Sequence, residues 1–409
     1  MVNNFLKNNL AILFGNVFFK IGGYIYKFLM VYLLNNYAYG ILTIISPFQN
    51  ILQTLAAGGL PPTISKYVSE YNATNQKENS YKLILVSIKI AILLGITFGL
   101  LMIFFIVPLL VKIYNNNSLL LPLQIIGLIV PFSAIVGVFR GIFQGTYEMA
   151  HILTSRAIEQ ITMILSAIVL IILGFSVVGA IFGSVIGFFS SLISVIIILH
   201  KYFLDIFQGM LKLKMDFKEE IKIAYKIISF SIPVILTAIS EIGIYSMTTT
   251  IMPLFITISE IGYFGIAEPI ARLPLMISNS LATTILPVTS EMFASKNTNI
   301  LKKYMFNALR YNLIIMVPIC LFIMIFSKEV LLVMFFTKPF YSKGANVLTI
   351  LTLGMFFYSI FAITSSMIQG AGKPKSSMYL LIGGFIQILL LSFIFIPYFG
   401  VNGGAISTT

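Results

Sequence analysis

The stretch that decides the fold runs from Gln160 to His200 and reads QITMILSAIVLIILGFSVVGAIFGSVIGFFSSLISVIIILH. No Asp, Glu, Lys or Arg interrupts it. A helix that crosses the hydrocarbon core of a bilayer needs about 20 consecutive apolar residues, so this stretch is long enough for two such helices. It lacks the alternation of polar and apolar residues that is typical of a membrane β-barrel strand. The stretch therefore predicts a pair of membrane-spanning helices.

Charge-free stretches of this kind recur along the chain. They cover residues 28–65, 90–111, 113–139, 344–372 and 376–409. Of the 409 residues, 58% are hydrophobic and 10% are charged, whereas a soluble domain is about 45–50% apolar and about 25% charged. Only helices and closed barrels satisfy their backbone polar groups inside a bilayer. We therefore predict an all-α polytopic membrane protein.

The apolar stretches divide into two sets of spans. We predict spans at 9–34, 38–62, 83–110, 119–146, 152–174 and 177–200, then at 226–252, 262–288, 306–327, 345–370 and 376–397, with a twelfth beginning near Val401. This predicts an N-terminal six-helix lobe at 1–200, a cytoplasmic basic linker at 201–225 and a C-terminal lobe at 226–409. Because the sixth span ends near His200, its counterpart would extend past Thr409, so we expect the last helix to be truncated.

The two sets repeat at one offset of 225 residues. Gly40–Ile41 matches Gly265–Ile266, and Gln144–Gly145 matches Gln369–Gly370. Each half has an even number of spans, so the two halves share one orientation in the membrane. This repeat predicts two six-helix lobes around a central cavity.

The loop charges predict the orientation. Most lysines and arginines in loops lie on the side of the N-terminus, whereas the opposite side carries Lys112, Lys328, Lys338 and Lys343. Cytoplasmic loops carry the excess of basic residues. We therefore expect a multi-pass protein of the cell membrane with a cytoplasmic N-terminus.

Several motifs resemble those of polysaccharide flippases. Tyr39–Gly40, Pro47 and the stretch 59–70 (GLPPTISKYVSE) resemble the second-helix signature of this family, and Phe143–Gly145 and the stretch 368–374 (IQGAGKP) resemble two further motifs. The family includes the stage V sporulation protein B-like and O-antigen flippase-like proteins. It belongs to the superfamily of multidrug, oligosaccharidyl-lipid and polysaccharide exporters. The resemblance implies two six-helix bundles, alternating access and outward movement of isoprenoid-diphosphate-linked sugars.

Two lysines in the first span are candidates for binding an anionic substrate. Lys20 and Lys27 are seven residues apart, close to two helical turns, so they lie on one side of the helix. A charge at the centre of a bilayer costs about 2.5–3.5 kcal/mol on insertion scales, which makes such residues functional candidates. The alternative is that each lysine extends to an interface or pairs with an acid on another helix.

Three charged residues in the seventh and eighth spans are further candidates. Glu268 and Arg272 are spaced i, i+4 and can pair on one helix, with Pro269 and Pro274 on either side of the arginine. Either Arg272 binds the substrate and pairs with Glu268 until the substrate arrives, or the ion pair is structural. Glu241 either contacts one of the lysines or takes up a proton or Na⁺ for coupling.

Three further residues complete the predicted substrate site. Arg140 is predicted near the cytoplasmic end of the fourth span, where it gathers the diphosphate or anchors the helix at the interface. Asn16 and Gln144 are polar groups in spans that bind sugar hydroxyls or, alternatively, bond between helices. The lysines and Arg272 outnumber the acids, which favours an anionic head group.

The sequence leaves two transport functions open and argues against catalysis. The leading interpretation is a flippase for lipid-linked oligosaccharide or polysaccharide precursors, and the alternative is a cation-coupled multidrug or metabolite antiporter. We find no P-loop and no cluster of catalytic acids, bases or metal ligands, so we expect a transporter rather than an enzyme. We expect no cofactor, possible coupling to H⁺, Na⁺ or the membrane potential, no nucleic-acid partner and a monomer surrounded by membrane lipids.

Overall fold

The protein was analysed as a computed structural model, which describes residues 19, 21–204, 206, 208–209, 215–294, 298–372 and 374–409. Helices and short turns account for the secondary structure of this part of the chain, and no strand occurs in it. The predicted site residues Asn16 and Lys20 lie outside the described residues. The all-α class predicted from the sequence is confirmed.

The first half of the chain forms the helices α1 to α8. Their bounds are α1 Ile21–Leu33, α2 Asn36–Ala57, α3 Leu60–Ala73, α4 Lys77–Leu101, α5 Val107–Tyr114, α6 Leu120–Gly145, α7 Met149–Leu170 and α8 Ser176–Tyr202. A π-helical turn joins α4 to α5, and a second one follows α7.

The second half forms the helices α9 to α15. Their bounds are α9 Phe217–Ile251, α10 Ile258–Ala271, α11 Leu275–Ala294, α12 Thr298–Ile325, α13 Ser327–Met334, α14 Ala345–Gly370 and α15 Pro374–Thr408. Helix α14 has the bounds predicted for the tenth span.

Many of these helices are long and apolar enough to cross a membrane. In the described part of the chain, seven stretches meet this criterion: Lys77–Tyr114, Asn117–Gly145, Met149–Tyr202, Phe217–Ile244, Lys302–Ile325, Pro339–Gly370 and Lys375–Thr408. Large apolar side chains such as Phe104, Phe105 and Ile172 are well exposed on their surfaces. Such apolar surfaces are compatible with the hydrocarbon core of a bilayer, which is also apolar.

The second predicted span is broken in the structure. Helix α2 ends at Ala57, and α3 begins at Leu60 after Gly58 and Gly59, which have φ angles of 57° and 64°. These left-handed angles are open to glycine without steric cost. A Cβ atom on Gly59 would also lie 2.8 Å from the carbonyl oxygen of Ser231. The break therefore depends on glycine for both its conformation and its packing.

The helix bounds support the predicted repeat. Helices α6 and α14 begin at Leu120 and Ala345, the predicted 225 residues apart, and each has 26 residues. The kinks that follow the fifth and eleventh spans lie at Gly174 and Gly400, both with positive φ.

The chain forms two compact units. Unit 1 comprises Phe48–Ile239 with the described residues of Met1–Leu34, and unit 2 comprises Asn35–Pro47 and Ser240–Thr409. These units group residues that are in contact, whereas the predicted lobes are stretches that repeat, so the boundaries at 200 and 225 stay predictions.

Particular contacts explain where the units divide. The first half of α2 belongs to unit 2, because the Asn36 side chain donates a hydrogen bond of 2.8 Å to the Ser259 carbonyl oxygen of α10. The first half of α9 belongs to unit 1, because the hydroxyls of Thr63 and Ser231 lie 2.9 Å apart and share a hydrogen bond.

Candidate functional site

The eighth span contains a break with an ion pair beside it. Helix α10 ends at Ala271, and α11 begins at Leu275. Pro269 and Pro274 lack the N–H group that continues a helical hydrogen-bond ladder. The chain crosses the break on short turns, in which Leu275 N–H donates to the Arg272 carbonyl oxygen over 3.1 Å. Interrupted helices at membrane depth are typical of binding sites in transporters.

A tyrosine of α2 satisfies a carbonyl that the break leaves open. Pro269 cannot donate to the carbonyl oxygen of Gly265, four residues before it. The Tyr39 hydroxyl donates to that oxygen instead, over 3.1 Å, and Tyr39 is buried. The hydroxyl thus stabilises the irregular segment within unit 2.

Arg272 forms an ion pair with Glu268, as predicted from their spacing. The guanidinium Nη2 contacts Oε1 of Glu268, and the two side chains are 20% and 13% exposed. Both residues lie on the same short segment, so the pair joins no second helix. An anionic ligand that competes with the Glu268 carboxylate for Arg272 therefore breaks no ion pair between helices.

Lys27 lies on α1, next to residues that pack within unit 1. Gly22 packs against the Gln160 side chain, and the Tyr26 hydroxyl donates to the Ala180 carbonyl oxygen over 3.2 Å. A helix turns about 100° per residue, so the Lys27 side chain is rotated by about that angle from Tyr26. Its side chain is half-buried. A substrate contact by Lys27 stays a prediction.

Arg140 joins three helices of unit 1. Its Nη2 donates to Glu159 Oε2 over 2.7 Å and to Ser191 Oγ over 3.1 Å, and its Nε donates to Ser155 Oγ over 3.0 Å. The side chains of Arg140 and Glu159 are 16% and 19% exposed. A diphosphate would compete with these three partners for Nε and Nη2, so the predicted contact with substrate stays a prediction.

Two other predicted site residues lie on exposed positions. Glu241 on α9 and Gln144 at the end of α6 are both exposed. Among the described candidates, Glu268 and Arg272 form an ion pair. The other assignments stay predictions.

Sequence reasoning missed a buried polar triad in unit 2. The Ser278 hydroxyl donates to Asn312 Oδ1 over 2.7 Å, and Asn312 Nδ2 donates to Ser359 Oγ over 3.1 Å. All three side chains are fully buried. Buried polar groups need such partners. Isolated polar residues in three apolar spans were the available signal, but nothing in the sequence shows that they meet.

Metal ligands are not grouped in the part of the chain that the structure describes. No set of three or more His, Cys, Asp or Glu side chains there has the geometry to hold a metal ion.

Comparison with known proteins first defines the class. A multidrug transporter of the MOP superfamily in an inward-facing conformation has a similar structure, with a TM-score of 0.80 at 17% identity over 95% of this chain and 90% of the other. The lipid II flippase MurJ in an inward closed conformation gives 0.73 at 18% identity, over 96% of this chain and 84% of the other. This chain therefore shares the fold of these two proteins.

The family follows from the sequence. Residues 5–293 match the sequence profile described as polysaccharide biosynthesis protein, and residues 233–394 match the MatE profile. The chain belongs to the polysaccharide biosynthesis protein family.

Three relatives illustrate the range of the family. An uncharacterized membrane protein of Methanocaldococcus jannaschii is 26% identical, over 98% of this chain and 94% of the relative. The lipid II flippase MurJ of Bacillus subtilis is 24% identical, over 87% and 70%. A probable low-salt glycan biosynthesis flippase of Haloferax volcanii is 23% identical, over 42% and 37%.

Proposed function

We propose that this transporter is a flippase that exports a lipid-linked, isoprenoid-diphosphate oligosaccharide or polysaccharide precursor by alternating access. Membership of the polysaccharide biosynthesis protein family supports this function. So do the relatives that are flippases for lipid II and for glycan biosynthesis.

The observation that carries the proposal is Arg272 beside the break between α10 and α11. A diphosphate that crosses a membrane must exchange its hydration for fixed cations and donors. An arginine provides charge-assisted, bidentate hydrogen bonds to phosphate oxygens. Glu268 neutralises Arg272 while no substrate is bound. The diphosphate of the substrate then takes the place of the Glu268 carboxylate at Arg272. Because Arg272 has an anionic partner in both states, the free-energy cost of its charge within the membrane is lower.

The remaining candidates stay in our proposal as further substrate contacts. Lys20 and Lys27 supply further positive charge, whereas Asn16, Gln144 and Arg140 contact the sugar or the diphosphate. Coupling to H⁺ or Na⁺ is assigned to Glu241, and the membrane potential is the alternative driving force. We further propose a monomer in the cell membrane with a cytoplasmic N-terminus, as the loop lysines indicate.

A second candidate function is a cation-coupled multidrug or metabolite antiporter. The match of residues 233–394 to the MatE profile favours it. A cavity for cationic drugs needs an excess of acids, whereas the candidates here include four basic and two acidic residues. We therefore rank the antiporter second.

Transport by the purified protein in liposomes separates the two functions. One set of liposomes carries a fluorescent isoprenyl-diphosphate sugar, and its movement between leaflets is followed with a membrane-impermeant quencher. A second set carries a cationic dye under a proton or Na⁺ gradient. The flippase proposal expects lipid movement without dye efflux. Gradient-driven dye efflux without lipid movement would overturn it in favour of the antiporter.

A further inference from the structure

Two lysines of unit 1 lie against the same aromatic ring. Lys66 on α3 places its Nζ 4.6 Å from the ring centre of Tyr67 and 4.4 Å from that of Phe230. Lys226 on α9 places its Nζ 4.1 Å from the Tyr67 ring and 5.0 Å from the Tyr71 ring. Lys226 also donates a hydrogen bond of 2.9 Å to the Tyr71 hydroxyl. These five residues form what we call the lysine–tyrosine site.

Other lysines nearby are neutralised by acids. Lys82 on α4 pairs with Glu219 on α9 over 2.8 Å and with Glu78, and Lys89 pairs with Glu220 over 2.6 Å. These pairs fix the first turns of α9 to α4. Their positive charges are balanced within unit 1.

The positive charges of the lysine–tyrosine site are not balanced by ion pairs of this kind. No carboxylate of the described residues lies within 4 Å of Lys66 or Lys226. Glu70 attracts Lys226 from beyond that distance. An aromatic face attracts an ammonium ion but does not neutralise it. Two ammonium ions near one ring repel each other, and an anion bound to both reduces that repulsion.

The geometry suits a phosphate group. Lys66 is exposed and Lys226 is half-buried, and both contact aromatic rings. Lysine binds phosphate as a point charge with freely rotating donors, which suits a head group that arrives from several directions. Tyrosines at such positions are typical of the membrane–water interface. Lys66 lies in the middle of α3 and Lys226 in the first half of α9, on the side that the loop lysines assign to the cytoplasm.

We propose that Lys66 and Lys226 bind the phosphate head group of a membrane lipid, and that the transported isoprenoid-diphosphate lipid docks there before transport. The docking step rests on the proposed flippase function. The site raises the local concentration of substrate at the cytoplasmic surface. Lys66 and Lys226 contribute to substrate binding, and other residues carry out the later steps of transport.

Binding and transport of a double variant test this proposal. Lys66→Gln with Lys226→Gln removes both charges, and Lys66→Arg with Lys226→Arg keeps them. The matched control is Lys218→Gln with Lys222→Gln, which removes two exposed lysines of α9 from outside the site. Calorimetry measures binding of a short-chain isoprenyl-diphosphate N-acetylglucosamine, of phosphatidylglycerol and of inorganic diphosphate. Thermal melting identifies any variant that fails to fold.

We expect the Gln double variant to bind the isoprenyl-diphosphate sugar about tenfold more weakly. This change corresponds to about 1.4 kcal/mol of binding free energy. Its transport KM rises by a similar factor while kcat is retained. The Arg double variant and the control stay within about twofold of wild type. Unchanged binding in a folded Gln double variant would overturn the proposal.

Comparison of the three ligands identifies which kind of phosphate the site binds. It also distinguishes failure of the head-group site from failure of the flippase function. Loss of isoprenyl-diphosphate binding with little change for phosphatidylglycerol supports docking of substrate. Equal loss for both lipids supports a head-group site but overturns the docking step. If wild-type protein moves no lipid yet the Gln double variant loses phosphatidylglycerol binding, the flippase function fails and the head-group site stands. If wild-type protein moves lipid and the Gln double variant binds normally, only the site fails.

Discussion

Two Arg–Glu pairs lie in the apolar spans, one in each unit, and they differ in what they hold together. Arg140 reaches from α6 to Glu159 on α7 and also bonds serines of α7 and α8. Arg272 pairs with Glu268 on its own segment, next to a helix break. The first pair links α6 to α7, and the hydrogen bonds of Arg140 extend to α8, whereas the second pair lies within one segment. An intramembrane arginine therefore stabilises helix packing when its acidic partner lies on another helix. When the partner lies on its own segment, a ligand can take the partner's place.

The largest effect is expected for Arg140→Ala. This change leaves the partly buried Glu159 without its ion-pair partner, and removal of one partner of a fully buried pair costs about 3–5 kcal/mol, which sets an upper bound here. We expect a large fall in thermal stability and in the yield of monodisperse protein. The double variant Arg140→Leu with Glu159→Leu should recover much of that loss. A folded, stable Arg140→Ala protein with reduced transport would contradict the structural role.

Arg272→Gln should act on transport instead. A hydrogen bond to a charged group contributes about 1.5–3 kcal/mol, so we expect lipid transport to fall roughly 10- to 100-fold. Arg310→Gln is the matched control, because Arg310 is an exposed arginine on α12 of the same unit. Liposome transport assays normalised to folded protein measure both. Equal rates for the two variants would remove Arg272 from the site.

Glu268→Gln should shift binding in the opposite direction. The amide no longer competes as an anion for Arg272, and a site freed from a competing state gains apparent affinity. We expect KM for the lipid to fall about threefold to tenfold, with slower turnover because the product leaves more slowly. A rise in KM would show that Glu268 helps to bind the substrate.

The smallest effect is expected for Tyr39→Phe. The change removes the hydroxyl that satisfies the Gly265 carbonyl at the break. A single hydrogen bond contributes about 1 kcal/mol net, so we expect a small decrease in thermal stability. Tyr398→Phe is the control, because Tyr398 is 81% exposed. Equal stability of the two variants would show that the break does not depend on this bond.

The spans were predictable because the bilayer imposes one simple rule. The tenth span, 345–370, is predicted with the bounds that α14 has in the structure. A long apolar stretch has few alternatives in a membrane, so length and charge suffice to locate it. The pairing of Glu268 with Arg272 was predictable for a similar reason, since residues four apart on a helix are neighbours.

The breaks and the contacts between helices were not predictable in the same way. Gly58–Gly59 and the prolines of α10 signal irregularity, but the sequence does not show that Tyr39 satisfies the Gly265 carbonyl. The Arg140 network depends on how α6, α7 and α8 pack, so the sequence favoured an interfacial anchor at that position. Contacts of this kind depend on tertiary packing, which a local pattern does not encode.

The most direct test of the central claim is solid-state NMR of both ion pairs in one membrane sample. Selective labelling of arginine guanidinium nitrogens and glutamate carboxyl carbons measures the Arg272–Glu268 and Arg140–Glu159 separations with and without an isoprenyl-diphosphate sugar. We predict that the substrate lengthens the Arg272–Glu268 separation and leaves the 2.7 Å contact between Arg140 and Glu159 unchanged. An unchanged Arg272–Glu268 separation, or opening of the Arg140–Glu159 pair in its place, would contradict the account.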